Sequence, residues 1–194
     1  MTENQGNIAE NAFKRHQEVI TKSLETILPN IQKGSEVLLS VVQSDGLMLT
    51  CGNGGSAADA QHLSGEWLCR YKSNRKPLRA IALSTDTSTI TAIGNDYRFE
   101  DIFKRQIEAL GRKSDVLVAF TTSGQSPNIL AAINQARNQG LKVIVLTGER
   151  GAGLRDKVDV AIVVPDIETA RIQEIHELVL HIWCEYIDAH LKND

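Results

Sequence analysis

His62 and Glu66 stand four residues apart in a stretch of helical pattern, so they share one helix face. An imidazole beside a carboxylate can move a proton, and the same pair can give two ligands to a metal ion. An exposed ion pair along a helix would use the same spacing. Gln173, Glu177 and His181 repeat it on a later stretch, four and four apart. Other positions there, Ile172, Ile175, Leu178, Val179, Ile182 and Trp183, make that helix apolar nearly all round. Such a helix is buried, and polar side chains on it need partners. His176 and His190 read instead as hydrogen-bonding histidines of core or surface.

Two turns carry a second kind of chemistry. Cys51-Gly52-Asn53-Gly54-Gly55-Ser56 follows the apolar run Leu47-Met48-Leu49 and opens into helical pattern from Ala57 to Leu68. Thr121-Thr122-Ser123-Gly124-Gln125-Ser126 also follows a strand and precedes a helix; it is rich in hydroxyls and has no lysine. Glycine lets the backbone come close to a ligand, and N–H groups at a helix start can hold an anion. For either turn alone, glycines that serve only tight packing explain the pattern as well. The two together point to a phosphorylated, hydroxyl-rich small molecule. Gly52, Gly54 and Ala57 also match G-x-G-x-x-A, but the acid that a dinucleotide site needs after the second strand comes too late, at Asp86. A Walker lysine is absent too, so no nucleotide is expected.

The elements that must hold these residues follow from periodicity. Helical pattern runs over about 6–28, with Ile8, Phe13, Ile20, Leu24 and Leu28, until Pro29 interrupts; it resumes over 31–44 with Ile31, Leu38, Val41 and Val42 on one side. Strands are expected at 47–51, 79–84, 115–121, 142–147 and 159–164, and helices at 56–69, 99–111, 126–139 and 168–191. Ser126 is the expected N-cap of its helix, with Pro127 in the first turn and Gly140 at the stop. Strands alternating with helices, and runs such as Val143-Ile144-Val145-Leu146, predict an α/β fold with a parallel sheet covered on both faces. Ligands bind such sheets at the carboxyl ends of the strands, where both turns sit.

A chain of 194 residues suits one domain, 1–194, with an N-terminal helical extension over about 1–44 for packing or oligomerisation. Apolar residues at 42% and charged ones at 23% are ordinary for a globular protein. A net charge of −3 argues against nucleic acid held by a basic face. The first ten residues are polar and no run approaches membrane-spanning length, so the expected location is the cytoplasm, without a membrane partner. Cys51, Cys69 and Cys184 are odd in number and widely spaced, and read as reduced and structural.

The chain resembles the sugar isomerase (SIS) domain family, and within it the phosphoheptose isomerases. The resemblance runs through Cys51 to Ser56, Asp59-Ala-Gln-His62 with Glu66, Arg70-Tyr71, Thr91-Ala-Ile-Gly-Asn95-Asp96, Thr122-Ser-Gly124 with Ser126, and Arg171-Ile-Gln-Glu-Ile-His176 with His181. It implies a three-layer, flavodoxin-like fold with five parallel strands flanked by helices. It also implies a homotetramer with sites at subunit boundaries, so that Glu66 and His181 could come from different subunits. The implied activity is conversion of sedoheptulose 7-phosphate to D-glycero-D-manno-heptose 7-phosphate through an enediol, the first step towards the heptose of the lipopolysaccharide inner core.

The same resemblance implies two catalytic residues, Glu66 as the base at carbon and His181 as the acid–base partner at oxygen. It implies substrate contacts at Asn53, Gly54, Gly55, Ser56, Glu66, Asn95, Asp96, Thr121, Thr122, Ser123, Ser126 and Gln173. Zinc on His62, Glu66, Gln173 and His181 is implied as cofactor. A competing reading is a non-enzymatic SIS paralogue that binds the bacterial replication initiator. That paralogue shares the start of the first helix after the glycine turn, Ser56 to His62, but lacks the acid and the histidine that this chain keeps at Glu66 and His181.

Overall fold

Even and odd positions along the strands serve two different cores. The structure is a computed structural model and describes residues 7–191. Its sheet has five parallel strands: β1 (Met48–Cys51), β2 (Ala80–Ala82), β3 (Val116–Thr121), β4 (Lys142–Gly148) and β5 (Val160–Val164), in the order β2-β1-β3-β4-β5. Met48, Val116, Val118, Phe120, Ile144, Leu146 and Ile162 face one core; Leu49, Cys51, Leu117, Ala119, Val143 and Val145 face the other. Burial on both faces is why these strands read as unbroken apolar runs.

Helices α1 (Ile8–Thr26), α2 (Leu28–Gln43), α3 (Gly55–Leu68) and α7 (Thr169–His190) lie on the first face. Val19, Ile31, Leu38, Leu63, Trp67, Leu180 and Trp183 fill the space between them and the sheet. On the second face are α4 (Thr87–Asp96), α5 (Lys104–Leu110) and α6 (Pro127–Asn138), through Ile90, Ile93, Ile107, Ile129 and Ile133. The result is the three-layer α/β sandwich expected from the sequence. None of the described helices is long and apolar enough to cross a membrane.

The boundaries moved for physical reasons. Pro29 does not separate two helices; it sits in the first turn of α2, where its missing N–H costs nothing. Gly140 ends α6 with φ of +79°. The helix expected over 99–111 is split into a 3₁₀ turn, Phe99–Asp101, and α5. Two elements were not foreseen, α4 and a 3₁₀ segment over Glu149–Lys157. Helix α4 starts Thr-Ser-Thr-Ile-Thr, a poor helix former, and buries none of its residues. Its start is fixed by Asp86, whose carboxylate accepts from the Thr89 N–H at 3.1 Å. Asp86, the late acid of the glycine fingerprint, is thus a helix cap.

Helix α1 leaves apolar side chains outside the core: Ile8, Phe13 and Leu24 are 80%, 73% and 63% exposed. Polar contacts tie it to α7 and to the loop before α7, alongside the buried Val19. Arg15 reaches Asp166 at 2.8 Å, His16 reaches Glu174 at 2.7 Å, and Arg171 donates to the Ala12 carbonyl at 2.7 Å.

Candidate active site

The sheet reverses its winding between β1 and β3, and both turns project there, from the carboxyl ends of those strands. They are tied together side by side. The amides of Asn53 and Asn128 exchange two hydrogen bonds, of 2.9 and 2.8 Å. Asn128 lies in the first turn of α6 and is buried.

Each turn needs glycine. Gly54 adopts φ of +57° and ψ of −125°, a conformation that side chains resist. Gly55 opens α3, and a Cβ there would stand 2.5 Å from Gln173 Nε2, so Gln173 lies directly over the turn. In the second turn Gly124 has φ of +65°. Its N–H donates to Thr121 Oγ1 at 3.2 Å, and the Gln125 N–H donates to Ser123 Oγ at 3.2 Å. Both hydroxyls accept in these bonds, which leaves each O–H proton free to donate to a ligand. Ser126 occupies the N-cap position of α6 without using its side chain as a cap.

A cleft of about 250 Å³ results, lined by Asn53, Gly55, Ser56, Phe120, Thr121, Thr122, Ser123, Ser126, Thr169 and Gln173. Eight of the sequence-derived contacts meet there. Thr169, in the first turn of α7, was not foreseen. Gly54 lies in the turn but outside the lining. Asn95 and Asp96 are not brought to the cleft by this chain; they sit exposed at the end of α4, where the Asn95 amide donates to the Asp96 carboxylate at 2.8 Å.

Helices α3 and α7 pack side by side and bring together the titratable group. His62 Nδ1 lies 2.8 Å from Glu177 Oε1, and His62 Nε2 lies 3.4 Å from Glu66 Oε1. His181 meets His62 edge-on at 4.9 Å between ring centres, and Tyr71 stacks over His181 at 5.6 Å. Glu66 and His181 therefore flank one histidine of the same chain. Burial lowers the affinity of His62 for its proton, but the Glu177 hydrogen bond and charge, with Glu66 beyond, outweigh it and raise its pKa. Asp59, buried one turn earlier on α3, is pushed up to about 7 by burial and then by the Glu177 charge, with His62 opposing. One of its carboxyl oxygens has no hydrogen-bond partner.

Steps of four residues along α7 carry Thr169, Gln173, Glu177 and His181 on one face. Thr169 and Gln173 line the cleft; Glu177 and His181 belong to the titratable group. Gln173 and His181 are separated by about 12 Å along the axis. Cleft and acid–base group can therefore grip the two ends of an extended molecule at once.

Of the four residues named for zinc, the structure sets His62 beside Glu66. Two donors held at about 2.1 Å on tetrahedral corners stand ~3.4 Å apart, the separation that His62 Nε2 and Glu66 Oε1 show. A carboxylate on the far nitrogen, as Glu177 is here, is the usual outer partner of a metal-bound imidazole. Among the described residues, no three His, Cys, Asp or Glu side chains converge as a metal-binding group. His176 stays outside the site altogether. It is fully buried against Phe120, and burial pushes its pKa down to about 4 against the opposing pull of the Thr147 backbone.

The SIS domain model matches residues 13–148, well over half of the chain. The chain belongs to the SIS domain family. Among members of this family, it is 46% identical over 181 residues to a phosphoheptose isomerase of Helicobacter pylori (strain P12), covering 93% of this chain and 94% of the other. It is 46% identical over 182 residues to one of Campylobacter jejuni (serotype O:6, strain 81116), covering 94% and 97%. The solved phosphoheptose isomerase of Neisseria gonorrhoeae superposes with a TM-score of 0.87 at 40% identity, over 93% of this chain and 96% of that one. Each of these matches covers more than nine-tenths of both chains.

Gly55→Ala tests the seating of Gln173. The added methyl meets the end of a flexible side chain rather than backbone. The variant is expected to keep its circular dichroism and melting profile while Gln173 swings away and catalytic efficiency drops about tenfold or more. Wild-type efficiency would remove Gln173 from the site.

Proposed function

We propose that this chain is an aldose–ketose isomerase that converts sedoheptulose 7-phosphate to D-glycero-D-manno-heptose 7-phosphate. The observation that carries this reading is the pairing of two features on one face of α7. A hydroxyl-lined cleft fit for a phosphate lies at one end, and Glu66, His62 and His181 lie at the other. The relatives named above are isomerases, which favours catalysis over the initiator-binding alternative. The direct test is to incubate purified protein with sedoheptulose 7-phosphate and look for heptose 7-phosphate. Absence of product, under conditions that activate the Helicobacter pylori relative, would overturn the reading.

In the proposed chemistry Glu66 takes the proton from carbon and His181 exchanges a proton with the carbonyl and hydroxyl oxygens. Asn53, Gly54, Gly55, Ser56 and Gln173 hold the sugar; Thr121, Thr122, Ser123 and Ser126 hold the phosphate; Asn95 and Asp96 would reach substrate in a neighbouring subunit. A phosphate contact is present in both ground and transition states, so Ser126→Ala should raise KM several-fold and leave kcat within about twofold. A fall confined to kcat would place Ser126 at the reacting carbons instead.

His62, Glu66, Gln173 and His181 would hold zinc, supported by the His62–Glu66 separation and the carboxylate behind His62. When bound, such an ion polarises oxygens and stabilises the charge of an enediolate. After stripping with chelator, His62→Ala should take up no tightly held zinc by elemental analysis, and wild type should lose turnover until zinc is restored. Full activity in metal-free protein would leave the acid–base roles without the metal.

Four copies per assembly are part of the same proposal, supported by the exposed Phe13 and Leu24 of α1 and by the exposed Asn95 and Asp96. Light scattering reads that number. The cytoplasm is the proposed place of work, in keeping with three unpaired cysteines.

A further inference from the structure

The His62 ring is held from both sides. Its Nδ1 lies 2.8 Å from Glu177 Oε1 and 3.2 Å from Oε2, so the carboxylate keeps a contact even if it rotates. Its Nε2 lies 3.4 Å from Glu66. Glu177 projects from α7 and Glu66 from α3, so the ring spans the seam between the helices. His181 stands edge-on against it, with 4.9 Å between ring centres. Asp59, the other nearby acid, makes no hydrogen bond with the ring among the described residues. Glu177 itself does not line the cleft.

Both facing carboxylates can only accept when ionised, and the 2.8 Å contact to Glu177 outranks the 3.4 Å one to Glu66, so Nδ1 carries the hydrogen. In a neutral ring the opposite nitrogen is then bare. We propose that Glu177 is a positioning residue: it fixes the His62 ring and its Nδ1–H tautomer, and so presents the Nε2 lone pair beside Glu66. The inference deepens the proposed site and rests on His62 being part of it. A free imidazole favours the opposite tautomer, with hydrogen on Nε2. Without Glu177 the hydrogen would cover the lone pair that a metal ion, or a proton arriving from substrate, has to meet. Gln173 and His181 touch the proposed substrate directly; Glu177, midway between them on the same face, acts through His62.

Nitrogen NMR of protein labelled at histidine reads the tautomer without any turnover. The spectrum is taken in metal-free protein at a pH where titration shows the His62 ring to be neutral. Wild type is expected to show hydrogen on Nδ1 and a bare Nε2. Glu177→Ala and Glu177→Leu are expected to move the hydrogen to Nε2 in most molecules. They should also lose about 10–100-fold in kcat, the usual effect of removing an outer partner of a site histidine. KM should stay near wild type, since the phosphate turn is untouched. A wild-type spectrum with hydrogen on Nε2 overturns the proposal, and so do variants that keep the wild-type tautomer. Should neither variant fold, the wild-type spectrum still decides. An inactive wild type would remove the isomerase reading, while the tautomer would still judge Glu177.

Discussion

Glu66→Gln is expected to cut turnover by about 10²–10⁴-fold with fold and assembly unchanged, the range for loss of a positioned acid or base. Glutamine keeps the shape of the side chain, which is three-quarters covered, and can still face His62 Nε2, so packing between α3 and α7 has no reason to alter. What it loses is the ability to take a proton from carbon. The chemistry gives an independent readout. An enediol route lets the proton taken from C1 exchange with solvent before one is returned to C2, so product formed in heavy water by wild type should carry deuterium at C2. In Glu66→Gln both product and deuterium uptake should fall together. Near-wild-type turnover would mean that another group is the base. Because one chain places Glu66 and His181 on either side of His62, mixing Glu66→Gln with His181→Ala subunits should restore little activity. Strong recovery would show instead that the Glu66 and His181 of one site come from different chains.

How far the sequence reaches towards this site depends on the signal each residue leaves. The glycine turns are legible because their backbone needs are rare: few residues tolerate the geometry of Gly54 or Gly124. The strands are legible because each is buried on two faces. Helix α4 leaves no such signal, since it has no buried stripe and is started by one aspartate cap. The 3₁₀ segment after β4 is equally silent, being polar and weakly periodic. Asn128 hides in a helix start where asparagine reads as a capping residue, although its role is to bridge the two turns. Thr169 was within reach, and Glu177, visible as a spacing, lacked only a role. They continue the four-residue spacing of Gln173 and His181, but a threonine in a first turn and a glutamate on a helix have ordinary explanations until a partner is seen. That partner, His62, lies 115 residues away along the chain, and only the packing of α3 on α7 supplies it.

The same packing suggests where the site is most easily broken from outside. Arg75 and Asp188 form an ion pair at 2.8 Å with side chains only 4% and 6% exposed. The guanidinium also donates to the carbonyls of Glu66 and Trp67 at the end of α3, at 2.9 and 3.0 Å. The carboxylate accepts in turn from the Lys72 and Ser73 N–H groups at 2.9 and 2.8 Å. One cluster thus closes the end of α3, the loop after it and α7, and it grips Glu66 by its own backbone. Arg75→Met leaves a buried carboxylate without its cation and two carbonyls without donors, and should cost about 3–5 kcal/mol of stability. Denaturant unfolding measures that loss, and a midpoint like wild type would show the pair to be dispensable. The acid limb offers a second check. Burial pushes the Asp188 pKa up, but the Ser73 N–H, Arg75 and the Lys72 N–H outweigh it, and the net shift is down. A depressed carboxyl stabilises the fold fully above its unfolded value, about 3.9, and the gain is lost as pH falls from there through the folded value. Wild type should therefore hold this contribution at neutral pH and shed it below about pH 4. Asp188→Ala should start less stable at neutral pH and show a shallower loss across that acid range. A variant whose acid limb runs parallel to wild type would mean that Asp188 is not protonated more readily on unfolding, and that the cluster holds α3 by shape alone.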